Sequence, residues 1–163
     1  MEPDQMLAEQ RVSDNGRAFI EAWEGCRLTP YLDQRNYWTV GYGHKLQNDD
    51  KPTTITLAQA DTLLDFDLQY FADRVDVLVS AALSQPQFDA VCSLAFNIGA
   101  GNFATSHLRI YLNQGWIALV PRAFIAWNRI TLPSGEQVVD EGLDKRRHAE
   151  AALFSNGDYS GRP

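Results

Sequence analysis

The stretch FIEAWEGCRLTPYLDQRNYWTVGYGH, residues 19–44, holds a Glu at 24, an Asp at 33, a Thr at 39 and a His at 44, with Gly41 and Gly43 bracketing Tyr42. Two carboxyl groups are the economical device for cleaving a glycosidic bond. One gives its proton to the leaving oxygen while the other stays ionised and works on the attacking side. Glu24 falls in the last turn of a predicted helix, partly covered beside Ile20, a setting suited to the acid. Asp33 falls in a more solvated turn, suited to the ionised partner. A hydroxyl on Thr39, on an adjoining strand, can hold a water against the Asp33 carboxylate. Taken singly, Glu and Asp in a polar segment are solvated surface residues in most proteins, so the weight rests on the combination.

The elements that must position these residues are readable from periodicity. Phe19, Ile20 and Trp23 recur at helical spacing, and Gly25 supplies a stop for a helix starting near Ser13 or Asp14. From Pro30 to about Gly43 aromatic and aliphatic residues are separated by Asp, Gln, Asn and Gly, which predicts short strands and turns. Thr56 and Gln59 form a capping box ahead of Leu57, Ala60, Leu64, Leu68, Phe71, Val75 and Leu78, one long amphipathic helix. Ser84 and Gln87 repeat the box around Pro86, and Phe88, Val91, Cys92, Ala95 and Ile98 line a helix central to the core, ended by Gly99 and Gly101. Shorter helices are expected over 106–113, over 117–128 with a restart at Pro121, and over 143–155. The pattern predicts an α+β fold with a cleft between a small β element and a helical lobe. The expected organisation is an N-terminal extension over 1–12, one domain over 13–157 and a tail over 158–163.

Composition narrows the function. The chain has 163 residues, 45% hydrophobic and 21% charged, and a net charge of −7, which argues against binding nucleic acid through global charge. The opening MEPDQMLAEQRVSDNG contains no apolar run long enough for a signal-peptide core or a membrane span, so export is expected to need an outside route. Cys26 and Cys92 have no metal-ligand spacing and read as free thiols. His44, His107 and His148 form no spaced ligand set, so neither metal nor cofactor is expected. Lys145, Arg146 and Arg147 are a compact basic run, a pattern that usually marks a solvated helix face. Tyr31, Trp38, Tyr42, Phe96 and Trp127 read mainly as packing residues, with one or two available for stacking on sugar rings.

The full pattern of Glu24, Asp33, Thr39 and the run Val40, Gly41, Tyr42, Gly43, His44 closely resembles the phage-type lysozymes, the endolysin family that hydrolyses peptidoglycan. LSQPQFDAVCSLAFNIGAGNF at 83–103 is similar to that family's central helix, and AWN at 126–128 with GLDKRRHAEAALF at 142–154 to its C-terminal signature. The resemblance covers residues 13–157 and implies a lysozyme-like fold. It implies that Glu24 is the general acid, that Asp33 activates or positions water, and that Thr39 is the water's hydroxyl partner. It also implies that Arg146 pairs with Glu24, that Phe96, Asn97 and Ser106 line the saccharide cleft, and that His44 forms a structural ion pair with Asp67. The negative charge departs from a family that is often basic.

These implications amount to a monomeric muramidase acting on the β-1,4 bond between N-acetylmuramic acid and N-acetylglucosamine. Such an enzyme accumulates in the host cytoplasm without membrane insertion and reaches the wall through a holin-type pore. Thr39 beside the Asp argues for an attacking water, hence inversion. Two rivals remain. A lytic transglycosylase on this fold generally relies on a lone acid, which Asp33 and Thr39 argue against. A non-catalytic wall-binding or virion-structural module would gain nothing from the acid, carboxylate and hydroxyl set.

Overall fold

The computed structural model describes residues 10–33, 36–47 and 50–163, so residues 1–9 of the expected extension lie outside the described part. Helix α1 (Asp14–Glu24) is opened by Ser13, whose hydroxyl caps the Gly16 amide, and ends at Gly25 with φ 63°. Strands β1 (Arg27–Leu32), β2 (Trp38–Gly41) and β3 (His44–Lys45) follow at once and form an antiparallel sheet in that order. The sheet therefore begins three residues earlier than the Pro30 boundary read from the sequence. Pro30 is tolerated inside β1 because β1 is an edge strand whose register shifts between Arg27 and Tyr31.

Helix α2 (Leu57–Leu78) starts from the Thr56/Gln59 capping box, with both reciprocal bonds made, at 2.8 and 3.2 Å. Helix α3 (Gln85–Ile98) starts from the Ser84/Gln87 box with Pro86 in its first turn. Every residue from Phe88 to Ala95 is buried, as befits a helix covered on all sides. Helices α4 (Ala100–Thr105), α5 (His107–Asn113) and α6 (Val120–Ile125) follow, each packing on the one before it, the last preceded by a single 3₁₀ turn over Ile117–Leu119. Helix α7 (Glu141–Asn156) closes the bundle against α3 and α6. One core runs through these helices, with Phe19, Ile20, Leu64, Phe88, Leu94, Phe103, Leu108, Phe124 and Leu153 at its centre.

A second hairpin, β4 (Arg129–Thr131) with β5 (Gln137–Val139), precedes α7. It escaped the sequence reading, although Pro133-Ser134-Gly135 is a turn signal between alternating residues. Gly135 takes φ 87° and its amide bonds to Leu132 O, as in a three-residue hairpin loop. Among the described residues no helix is long and apolar enough to cross a membrane.

Two contact sets fix α1, and with it Glu24, in place. Asp89 of α3 is fully buried and accepts hydrogen bonds from Ser13 N at 3.0 Å, Ser13 Oγ at 2.5 Å, Gln85 Nε2 at 2.9 Å and Tyr159 Oη at 2.6 Å. The start of α1 and the segment after α7 are thus tied to the central helix through one carboxylate. At the same time Arg17 binds Glu21 at 2.8 Å and reaches Asp61 and Asp65 of α2, locking α1 to the long helix.

Candidate active site

Glu24 is the last residue of α1 and its side chain is 17% exposed. Helix α7 presents Arg146 to it, with Arg146 Nη1 donating to Glu24 Oε1 at 2.6 Å. The turn between β2 and β3 closes on the opposite side. Gly43 has φ 90°, and a Cβ there would lie 3.7 Å from Glu24 Oε2. A Cβ at that distance would make only ordinary contact with the carboxyl, but any side chain would strain the turn. Two other elements, α7 and the β2–β3 turn, thus meet at Glu24 of α1.

Asp33 and Thr39 are organised through one residue between them. Asp33 follows β1, and Thr39 in β2 pairs with Tyr31. Tyr37 N donates to Asp33 Oδ1 at 2.8 Å, Asp33 N donates to Tyr37 O at 2.9 Å, and Thr39 Oγ1 donates to the same carbonyl at 3.1 Å. The backbone of Tyr37 therefore fixes both side chains, a role that the residue's identity does not advertise. Lys45 Nζ lies 3.8 Å from Asp33 Oδ2. Thr39 is buried, and because its proton is given to Tyr37, its oxygen retains lone pairs for a donor.

The β element is held on α2 at three successive points. Gly41 takes φ 66° and lies so near α2 that a Cβ would sit 3.3 Å from Ala60 Cβ. Tyr42 Oη bonds Asp61 Oδ1 at 3.3 Å, and burial, helped by the charges of Glu21 and Asp61, pushes the phenol up to about 12. His44 Nδ1 lies 2.9 Å from Asp67 Oδ2. The Asp67 hydrogen bond raises the imidazole above its ordinary value against the opposing effect of burial, with the charges of Asp67 and Asp50 adding to the rise.

Beneath Arg146 lies a buried cluster that sequence reasoning did not single out. Arg146 Nε donates to Glu150 Oε1 at 3.1 Å, Arg147 Nη2 donates to the same oxygen at 2.9 Å, and Ser93 Oγ of α3 donates to it at 2.7 Å. Arg147 and Glu150 have no exposed surface. The expectation of a solvated basic face is therefore corrected at Arg147, because Glu150 one turn later neutralises it inside the core. Lys145 of the same run is exposed and pairs with Glu141 at 2.9 Å. Burial lowers the Arg147 guanidinium to about 10 despite the Glu150 charge. Burial also opposes the charge of Arg146, but Glu24 and Glu150 outweigh it and raise that group.

The remaining expected residues are placed as follows. Asn97 is exposed near the end of α3, and Phe96 is half-buried with its ring 5.3 Å from that of Phe71. Ser106 is 4% exposed, and its hydroxyl is spent capping α5, donating to Phe103 O at 2.8 Å and accepting from Arg109 N at 3.2 Å. The local reason is the helix start at His107, and those bonds engage the group expected to face sugar. Of the five aromatics considered for stacking, Trp38 is among the exposed large side chains, while Phe96, Tyr42 and Trp127 pack against the core. Both cysteines are free, Cys26 exposed and Cys92 buried, and burial raises both thiols.

Residues 21–150 match the family described as Phage lysozyme. The endolysin of Bacillus phage PZA is 38% identical over 149 residues, which cover 90% of this chain and 56% of that protein. The endolysin of Acyrthosiphon pisum secondary endosymbiont phage 1 is 37% identical over 89% of this chain and 98% of its own length. Among solved structures, the muramidase domain of SpmX from Asticaccaulis excentricus superposes with a TM-score of 0.83 at 32% identity, covering 90% of this chain and 99% of that one. The endolysin from Escherichia coli O157:H7 phage FAHEc1 gives 0.82 at 30% identity, covering 92% and 96%.

Proposed function

Because the chain belongs to the phage lysozyme family, the lysozyme-type glycoside hydrolases of the cell wall, we propose that it hydrolyses the β-1,4 bond between N-acetylmuramic acid and N-acetylglucosamine in peptidoglycan, with inversion. The observation that carries this reading is the convergence of Arg146 and Gly43 on Glu24 beside a β element that holds Asp33 and Thr39 through the backbone N–H and C=O of Tyr37.

In the proposed reaction Glu24 donates its proton to the glycosidic oxygen as the bond to the anomeric carbon breaks. A water on the far face gives one O–H to the Asp33 carboxylate and the other to Thr39 Oγ1. With both protons so directed, its lone pair faces the anomeric carbon, and Asp33 takes the proton released on attack. Arg146 orients the Glu24 carboxyl. His44 and Asp67 serve as a strut between β3 and α2, and Phe96 and Asn97 lie on the helix end expected to border the saccharide. Residues 13–157 form the catalytic unit. The reading extends to host lysis, with release from the cytoplasm by a holin-type pore and action as a monomer; the similarity to relatives named as endolysins supports the lytic part of it.

Digestion of purified peptidoglycan followed by mass analysis of the released ends tests the reading. Hydrolysis yields reducing N-acetylmuramic acid ends. Anhydro ends would assign a transglycosylase instead, and no release with retained binding would assign a wall-binding module.

A further inference from the structure

Arg146 is gripped from two sides, by Glu24 at Nη1 and by Glu150 at Nε. A guanidinium is planar, so fixing two of its nitrogens fixes the direction from which it meets Glu24. Glu150 is itself immobilised, because Ser93 of α3 and Arg147 of α7 donate to the same oxygen that receives Arg146. The groups facing this cluster are Glu24 from α1, Ser93 from α3, and Arg146, Arg147 and Glu150 from α7. Replacing a buried charged set by well-packed apolar residues is often neutral or stabilising, so burying such a set is weak evidence for stability alone.

We propose that Glu150 is a positioning residue for the acid, setting through Arg146 both the orientation and the charge that Glu24 meets. This rests on Glu24 being the proton donor. With Glu24 ionised, the formal charges of Glu24, Arg146, Arg147 and Glu150 cancel, and with Glu24 protonated the cluster is positive. Neither Glu150 nor Arg147 has any exposed surface, and the carboxyl that Arg146 grips on its outer side belongs to Glu24. Their charges therefore act on Glu24 from behind, through Arg146 and the intervening interior.

The sign of each effect is fixed. Glu150→Gln keeps an acceptor for Arg146 Nε but removes a negative charge, so Glu24 loses its proton more readily and the basic limb of kcat/KM moves to lower pH. Arg147→Met removes a positive charge and moves that limb to higher pH. The test measures kcat and KM on purified peptidoglycan across pH for each variant, with thermal melts to confirm folding. Opposite limb shifts of roughly half a pH unit or more are expected, with kcat in Glu150→Gln reduced on the order of 10-fold and KM near that of the unaltered enzyme. If either single variant fails to fold, Arg147→Met/Glu150→Gln, which removes one charge of each sign, carries the test. Its limb should stay in place while kcat falls. Unshifted limbs in the single variants, or an unaltered kcat in the double variant, would overturn the proposal. Glu24→Gln run in parallel separates the two levels: an active Glu24→Gln enzyme sinks the assignment of the acid, whereas an inactive one with the Glu150 and Arg147 profiles unmoved sinks only the positioning role.

Discussion

Glu24 lies between a cation and a glycine turn, and the chemistry assigned to it requires a transferable proton at that point. Glu24→Gln keeps the shape and the contact with Arg146 but has no proton to give. It is expected to lower kcat by at least about 10³-fold while circular dichroism and saccharide binding stay near those of the unaltered enzyme. Retained turnover would show that another group supplies the proton. The candidate trio was legible because a Glu, an Asp, a Thr and a glycine-bracketed aromatic at fixed spacing are far more specific than a carboxylate pair. Tyr37 was not, since it acts through its backbone, and backbone roles leave no mark on residue type. Arg147 was misread because a basic run is judged by its own composition. The buried Glu150 three residues on, which decides the matter, also carries a charge and so looks like one more solvated residue.

Among the elements, β3 docks on α2 through His44 and Asp67, a contact that ties the sheet to the long helix. The His44 imidazole is raised by its Asp67 partner, so the ionic part of this contact is fully present below the unfolded value of about 6.5. It is lost as pH rises through the raised folded value. His44→Ala should therefore cost about 1–3 kcal/mol near pH 6, and the gap to the unaltered protein should narrow as pH rises through the raised folded value. Urea unfolding across that range measures it, and a gap that widened with pH would contradict the ion pair. The long helices were readable to within a residue or two because capping boxes at Thr56 and Ser84 mark their starts and an apolar stripe marks their length. The short pieces were less so. Strands β4 and β5 carry mostly exposed residues, so they lack the half-buried alternation that announces a strand, and the PSG turn alone did not reveal them. Ser106 shows the same limit, because a polar residue at a helix start serves equally as a cap or as a ligand until the hydroxyl's partners are known.

The molecule as a whole carries −7 and acts, in the proposed function, on an anionic polymer. Like charges repel at the range of encounter, and salt screens them over about 8–10 Å at physiological strength. Clearing of whole walls should therefore accelerate as salt rises from about 10 to about 150 mM, followed by turbidity. A rate that falls with salt would point to a local basic docking face that overrides the net charge. In the proposed function, α1 and α7 supply an acid with its cation on one side of the sugar, and the three-stranded sheet supplies a carboxylate and a hydroxyl on the other. If that division is right, a water and not Asp33 attacks the anomeric carbon, and the configuration inverts in a single step. Proton NMR of the first-formed product, recorded before mutarotation, tests this most directly. The account predicts the α-anomer from the β-linked substrate, and a β-anomer at the earliest time points would contradict it by making Asp33 the nucleophile.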